Sequence, residues 1–242
     1  IVVVGIGAGD HGVAIEARTG VAVIHREGPA GDVHGAHLSV IELRPEGAED
    51  QVADVLQADT LADADVKSPE FLSLNPNNKI PAIIDPDGPD GQALELFESG
   101  AILIYLAEKS GKLIGSTAAE KARIIQWVMF QMGGMGPMFG QLGFFYKFAG
   151  SEYEDKRPQE RYINEAKRLL SVLDGALEGK EWIAGDFSIA DIAIAPWVTA
   201  LDFYGAKDAL GYADFKNVAA YEQRFLARPA VQKGRNIPPR EG

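Results

Sequence analysis

The chain has no cysteine. Disulfides, thiolate metal ligands and a protein thiol nucleophile are therefore excluded, and any thiol chemistry must draw its thiol from a substrate or cofactor. Basic residues are also scarce: 23 Lys and Arg stand against 35 Asp and Glu, a formal net charge of −12. A surface of that sign argues against nucleic acid or an anionic membrane as partner, because phosphate attraction needs Lys and Arg. It leaves room for a small anion in a local pocket. No apolar run approaches the ~20 residues of a membrane span. Ile1 to Gly9 is apolar but has neither a basic start nor a small-residue cleavage site, so no signal peptide is expected. The cytoplasm is the expected compartment. With 242 residues, the chain can build one large core or two smaller ones.

A second absence is local. Residues 1–67 contain no Phe, Tyr, Trp, Met or Asn, although 9% of the whole chain is aromatic. At that frequency about six aromatics belong here, and aromatics carry much of a domain core. All four histidines (His11, His25, His34, His37) fall in this part. Gly5-Ile6-Gly7-Ala8-Gly9 follows Val2-Val3-Val4 as a dinucleotide loop would, but Asp10 stands where the third glycine of G-x-G-x-x-G is required, so a plain turn after a strand is the better reading. His34 and His37 are spaced for one helix face, yet Gly35 between them and the lack of an acidic framework favour loop histidines over a metal site.

From Ser68 onward the pattern is clear. Ser68-Pro69-Glu70-Phe71-Leu72 reads as a helix start with Pro at the first helical position. Lys79–Ile84 and Ala93–Phe97 read as strands around the turn Asp85-Pro86-Asp87-Gly88-Pro89-Asp90-Gly91, so residues 79–97 form an expected hairpin. Ser99–Glu108 is an amphipathic helix with Ile102, Leu103 and Leu106 inward, and Lys109–Ser116 is a linker. Further helices are expected over about 118–132, 155–178, 188–204 and 216–227. The fold class is thus a small α/β unit followed by an all-helical one.

Two short motifs in the α/β unit point to a ligand. Ile80-Pro81 stands at the entrance of a strand. X-Pro bonds alone adopt cis at modest cost, about 0.5–1 kcal/mol. A cis bond here would present the Ile80 backbone to an extended peptide ligand, as a sheet edge does; a trans proline at the start of an edge strand is the alternative. Glu98 and Ser99 follow the second strand, with Ser99 placed as a helix N-cap. Either Ser99 is a plain cap, or the helix N-terminus binds a carboxylate while Glu98 meets a neighbouring ammonium. An α-amino acid head carries those two charges side by side.

Asn75-Pro76-Asn77-Asn78-Lys79-Ile80-Pro81-Ala82-Ile83 and Phe97-Glu98-Ser99-Gly100, in this order of elements, resemble the glutathione S-transferase family, most closely its bacterial nu-class and the yeast Ure2-like proteins. The resemblance covers about Ser68 to Pro239. It implies a thioredoxin-like glutathione-binding domain over residues 1–112, with 1–67 unmatched, and an all-helical domain over 113–242. It implies a cis Pro81, an Ile80 backbone paired with the cysteinyl part of glutathione, and a γ-glutamyl head held by Glu98 and Ser99. It also implies a homodimer, with glutathione as co-substrate beside a small hydrophobic or disulfide second substrate.

Phe187-Ser188-Ile189-Ala190-Asp191-Ile192 fits a capping box and staple and resembles the family's helix-capping signature in its second domain. In the nu-like run Gln131–Gln141, glycines and Pro137 are expected to break the helix, and Met and Phe side chains either pack there or wall the second-substrate pocket. Phe145 and Tyr146 are weaker candidates for that wall. Arg168 either aims its charge at glutathione or sits solvated on a long surface helix.

The family activates the glutathione thiol with a hydrogen-bond donor, which nu-class proteins take from a Thr-Pro-Asn-Gly-like turn after the first strand. No such turn is present; Thr19, Ser39 and Thr60 lack the context, so no catalytic residue is assigned. A reading-frame slip in the source gene, a divergent replacement, or a domain that binds without catalysis would each account for this. The abrupt change in composition favours the first, and sequencing the locus tests it. The expected activity is glutathione thiol transfer or glutathione-dependent reduction of a disulfide or peroxide. The rival is a non-catalytic glutathione-binding or interaction module.

Overall fold

The computed structural model describes residues 67–85 and 88–234, with Lys233 as backbone only, and the backbone of two strands at 21–26 and 36–41. The chain divides into two compact units: residues 1–28, 33–105 and 228–242 form one, and 29–32 with 106–227 form the other.

In the first unit, β1 (Val21–Arg26) and β2 (Ala36–Ile41) are antiparallel, with Val21 opposite Ile41 and Arg26 opposite Ala36. A β-α-β start would require parallel strands, so the described strands of this region are a hairpin instead. Gly5 to Asp10, His11, His34, Thr19 and Thr60 lie outside the described residues. α1 (Pro69–Leu74) starts as expected, with Pro69 in its first turn and the Phe71 N–H donating to the Ser68 hydroxyl at 3.1 Å. Phe71, fully buried, anchors it.

The expected hairpin is present. β3 (Ala82–Asp85) pairs antiparallel with β4 (Leu94–Phe97), Ala82 opposite Phe97 and Asp85 opposite Leu94. β3 begins three residues later than the alternation suggested, because Lys79 to Pro81 form a loop. α2 (Ser99–Ser110) follows directly, with Ile102 and Leu103 buried. The Tyr105 hydroxyl donates to Asp85 Oδ2 at 2.6 Å and ties α2 to β3. α9 (Pro229–Gly234) lies against β2.

The second unit is helical. α3 (Ala118–Phe130) opens on a capping box in which Thr117 caps the Glu120 N–H and Glu120 Oε2 accepts from the Ser116 and Thr117 N–H groups at 2.8 and 3.0 Å. The helix break expected at Gly133 to Pro137 does not occur. Gln131–Met135 form one π turn, closed by the Gly136 N–H on the Gln131 carbonyl, and lead straight into α4 (Gly136–Tyr146). The wide turn absorbs the extra residue. Pro137 then falls in the first turn of α4, just after the wide turn. Gly136 is closely packed there: a Cβ would collide with the Gln131 side-chain amide and meet the Gln131 carbonyl at 3.2 Å and Trp197 at 3.3 Å.

α5 (Arg157–Ala176) buries Ala166, Leu169, Leu170 and Leu173, one face at helical spacing. α6 (Ile189–Tyr204) is buried at every position from Ile189 to Pro196, as an apolar helix at the centre of a bundle must be. After the short α7 (Lys207–Leu210), α8 (Lys216–Ala227) adds Val218, Tyr221 and Phe225 to the core. The start of α8 is capped from another helix: Asp174 Oδ1 accepts from the Asn217 and Val218 N–H groups at 2.8 and 3.0 Å. No helix among the described residues is long and apolar enough to cross a membrane.

Candidate functional site

The β3–β4 register is what assembles the site. Ala82 faces Phe97, so the residues just outside the ladder, Ile80-Pro81 on one side and Glu98-Ser99 on the other, stand at the same end of the hairpin. The Ile80-Pro81 peptide bond is cis. No partner for the Ile80 N–H or carbonyl occurs among the described residues.

The loop before Ile80 is held from within. Asn75, 2% exposed, donates from Nδ2 to the Lys79 carbonyl. Its Oδ1 accepts the Asn77 N–H at 2.9 Å, and its carbonyl accepts the Asn78 N–H at 3.0 Å. Asn78 takes the left-handed conformation (φ 56°) that Asn tolerates better than most residues. The sequence signal was an Asn-Pro-Asn turn, which indicates a bend and not which carbonyl the buried amide holds.

The cap of α2 lies one residue earlier than expected. Ser99 is the first residue of α2, not its cap; the Glu98 carbonyl accepts the Ile102 N–H at 3.0 Å and so performs the backbone part of capping. Glu98 does this at φ 70°, a conformation costly for a residue with a Cβ. The outcome is an exposed carboxylate immediately before a helix start, whose first-turn N–H groups have no intrahelical acceptor. Positive helix end and carboxylate side by side match a zwitterionic head group.

Arg168 belongs to the helical unit. Its Nε and Nη2 donate to Glu165 Oε2 and Oε1 at 2.9 and 2.7 Å, and its side chain is 59% exposed. In the run from Gln131 to Gln141, Gln131, Met135 and Phe139 are core residues, which leaves Met132 and Met138, both half-buried, as wall candidates. Phe145 stacks on Tyr162 with centroids 5.4 Å apart and gives its carbonyl to Gln159 Nε2 at 2.9 Å, so it packs within the helical unit. Among the described residues, no group of three or more His, Cys, Asp or Glu is placed to hold a metal ion.

The family model of the glutathione S-transferase N-terminal domain matches residues 56–108, and that of the C-terminal domain matches residues 135–229. The Escherichia coli disulfide-bond oxidoreductase YfcG is 44% identical over 171 residues, 67% of this chain and 74% of that protein. The chain belongs to the glutathione S-transferase family. A Burkholderia graminis glutathione transferase, solved with two glutathione molecules bound per subunit, is 64% identical with a TM-score of 0.71, over 73% of this chain and 75% of that one. A Pseudomonas putida glutathione transferase, solved with one glutathione disulfide per subunit, is 61% identical with a TM-score of 0.70, over 72% and 76% of the two chains. The β3, β4 and α2 region is thus part of a glutathione S-transferase thioredoxin-like N-terminal domain, and the helical unit contains the C-terminal domain of that family. The N-terminal match begins at residue 56, inside the region that lacks aromatics.

Proposed function

We propose that this chain is a glutathione-dependent enzyme that reduces disulfides, with the glutathione tripeptide held at the end of the β3–β4 hairpin. The observation that carries this is the convergence of the Ile80-Pro81 loop and the Glu98-Ser99 helix start. The Ile80 backbone pairs with the cysteinyl residue. The α2 N-terminus and Ser99 take the γ-glutamyl carboxylate, and Glu98 takes its ammonium. Arg168 is assigned to the ligand by family resemblance; its bonds to Glu165 use Nε and Nη2 and do not involve Nη1. The names of the similar proteins favour catalysis over a module that only binds.

The chain has no thiol of its own, so glutathione supplies both. One glutathione thiolate attacks a sulfur of the disulfide and expels one product thiolate. The mixed disulfide is attacked by a second glutathione thiolate, which releases the second product and forms glutathione disulfide. The two expelled thiolates take up the two protons the glutathione thiols gave up. The same thiolate serves addition to a small hydrophobic electrophile or reduction of a peroxide. We extend the proposal to a homodimer acting in the cytoplasm, where glutathione is reduced and a cysteine-free chain is at no disadvantage.

Turnover of a small disulfide with glutathione, beside a calorimetric titration with glutathione, tests the reading. Turnover with binding is expected; binding without turnover reduces the chain to a binding module, and no binding removes the site. Ser99→Ala and Glu98→Gln should each weaken glutathione about tenfold, the value of one hydrogen bond to a charged group. Unchanged affinity in both refutes the placement. Size-exclusion chromatography with light scattering tests the dimer.

A further inference from the structure

Loop 75–80 contains a positioning device. The Lys79 carbonyl and the Ile80 N–H belong to one peptide unit, which is planar and trans, so the two point in opposite directions. Asn75 Nδ2 holds the Lys79 carbonyl toward the buried side of the loop. The Ile80 N–H is thereby turned to the opposite side, where it has no partner among the described residues. Asn75 is itself immobilised: it is 2% exposed, its Oδ1 accepts from Asn77, and its backbone N–H donates to the Phe71 carbonyl at 2.9 Å at the end of α1. Phe71 is fully buried. A path of hydrogen bonds therefore runs from the core through Phe71 and Asn75 to the peptide plane that presents the Ile80 N–H to the ligand.

We propose that Asn75 is a positioning residue for glutathione, aiming the Ile80 N–H through its grip on the Lys79 carbonyl. This rests on the glutathione reading above. The amide is suited to the task because it donates and accepts at once. A carboxylate of the same size keeps the bond from Asn77 but cannot donate to the Lys79 carbonyl, and two oxygens then face each other. The peptide plane rotates to relieve them, and the Ile80 N–H turns with it.

The experiment is glutathione titration of the parent chain and of Asn75→Asp at pH 8 and at about pH 5.5, with thermal melting to confirm folding. A buried carboxyl facing a carbonyl is pushed toward its protonated form. At pH 8 the variant should bind glutathione about five- to tenfold more weakly, the loss of one aimed neutral bond. At the lower pH the protonated carboxyl donates to Lys79 again, and the deficit relative to the parent should shrink. A purely structural role would lower the melting temperature and leave the affinity of the folded fraction and its pH dependence untouched. Equal affinity of parent and variant at pH 8 overturns the proposal while leaving the glutathione site standing. A parent that binds no glutathione overturns that site and this proposal together. If Asn75→Asp does not fold, amide exchange in the parent decides. Asn75 Nδ2 protons should be protected with and without glutathione, and the Ile80 N–H protected only with it. An Ile80 amide that glutathione does not protect, or Asn75 side-chain protons that exchange as fast as exposed ones, refutes the proposal.

Discussion

Replacing Asp191 with alanine is expected to destabilise the helical unit by about 3–5 kcal/mol, the largest single effect the structure predicts. Asp191 is fully buried at the first turn of α6. Its Oδ2 accepts the Ser188 N–H at 2.9 Å and the Ser188 hydroxyl at 3.3 Å, closing the capping box. Its Oδ1 accepts the Ile183 N–H at 3.0 Å and so ties the preceding loop to the helix start. Ile183 and Ser188 are each 1% exposed, so water cannot replace the lost acceptor. Two orphaned N–H groups at about 1–3 kcal/mol each span about 2–6 kcal/mol, and the expected loss is the middle of that range. For a chain of this length the melting temperature should fall by on the order of 10 °C, and a fall below about 2 °C would refute the account.

The pH dependence of that stabilisation has a definite sign. Burial pushes the Asp191 carboxyl above its ordinary 3.8, against the opposing pull of the Ile183 and Ser188 N–H groups. A raised folded-state value means the folded chain holds the proton more tightly. The contribution of this group is therefore complete below 3.8 and declines as pH rises through the higher folded value. The stability gap between the parent and Asp191→Ala, measured in urea, should narrow from about pH 4 toward neutrality.

Asp191 also marks what kind of structure a sequence discloses. Ser188 and Asp191 are three residues apart, so their capping box was legible; the bond to Ile183, in a loop with no pattern of its own, was not. Thr117 and Glu120 carry the same S/T-x-x-E signal, at the start of a helix that the sequence places at about residue 118 and the structure begins at Ala118. Asp174 caps α8 from 43 residues away, and no local pattern announces that. The binding motif divides in the same way. Ile80-Pro81 and Glu98-Ser99 are each visible because they bracket strands, and the strand register brings the two motifs to the same end of the hairpin. The one-residue shift of the cap to Glu98, with Ser99 beginning the helix, rests on one positive φ that side-chain preference alone would assign to Gly or Asn. The π turn at Gln131–Met135 is not signalled locally because Gly-Gly and Pro ordinarily mark a break; in the fold the segment packs against α5 and α6.

Lys207→Met is expected to destabilise the helical unit by about 2–4 kcal/mol, and adding Glu222→Gln should restore much of the loss. Lys207 Nζ donates to Asp202 Oδ2 at 2.8 Å and to Glu222 Oε2 and Oε1 at 2.7 and 3.0 Å, and it stands 4.4 Å from the centre of the Tyr212 ring. The Tyr212 hydroxyl donates to Glu222 Oε2 at 2.8 Å. The Lys207 side chain is 22% exposed and that of Glu222 7%. Removing the lysine therefore strands a buried carboxylate, and the partial exposure of Lys207 places the cost below that of a fully buried pair. Glutamine in place of Glu222 removes that stranded charge yet still accepts from Tyr212, which is why the double variant should lie well above the sum of the two single losses. Strict additivity in urea unfolding would show that the cluster does not act as a unit. Burial of Lys207 works against its charge, but the bonds and charges of Asp202 and Glu222 outweigh it and raise its value above 10.5. A raised value on a base gives stability that is complete below 10.5 and lost only above it. The gap between parent and Lys207→Met should therefore hold constant from neutral pH upward and close only in strong alkali. A gap that closes between about pH 7 and 9 would mean that the ion pair is not what holds α7 to α8.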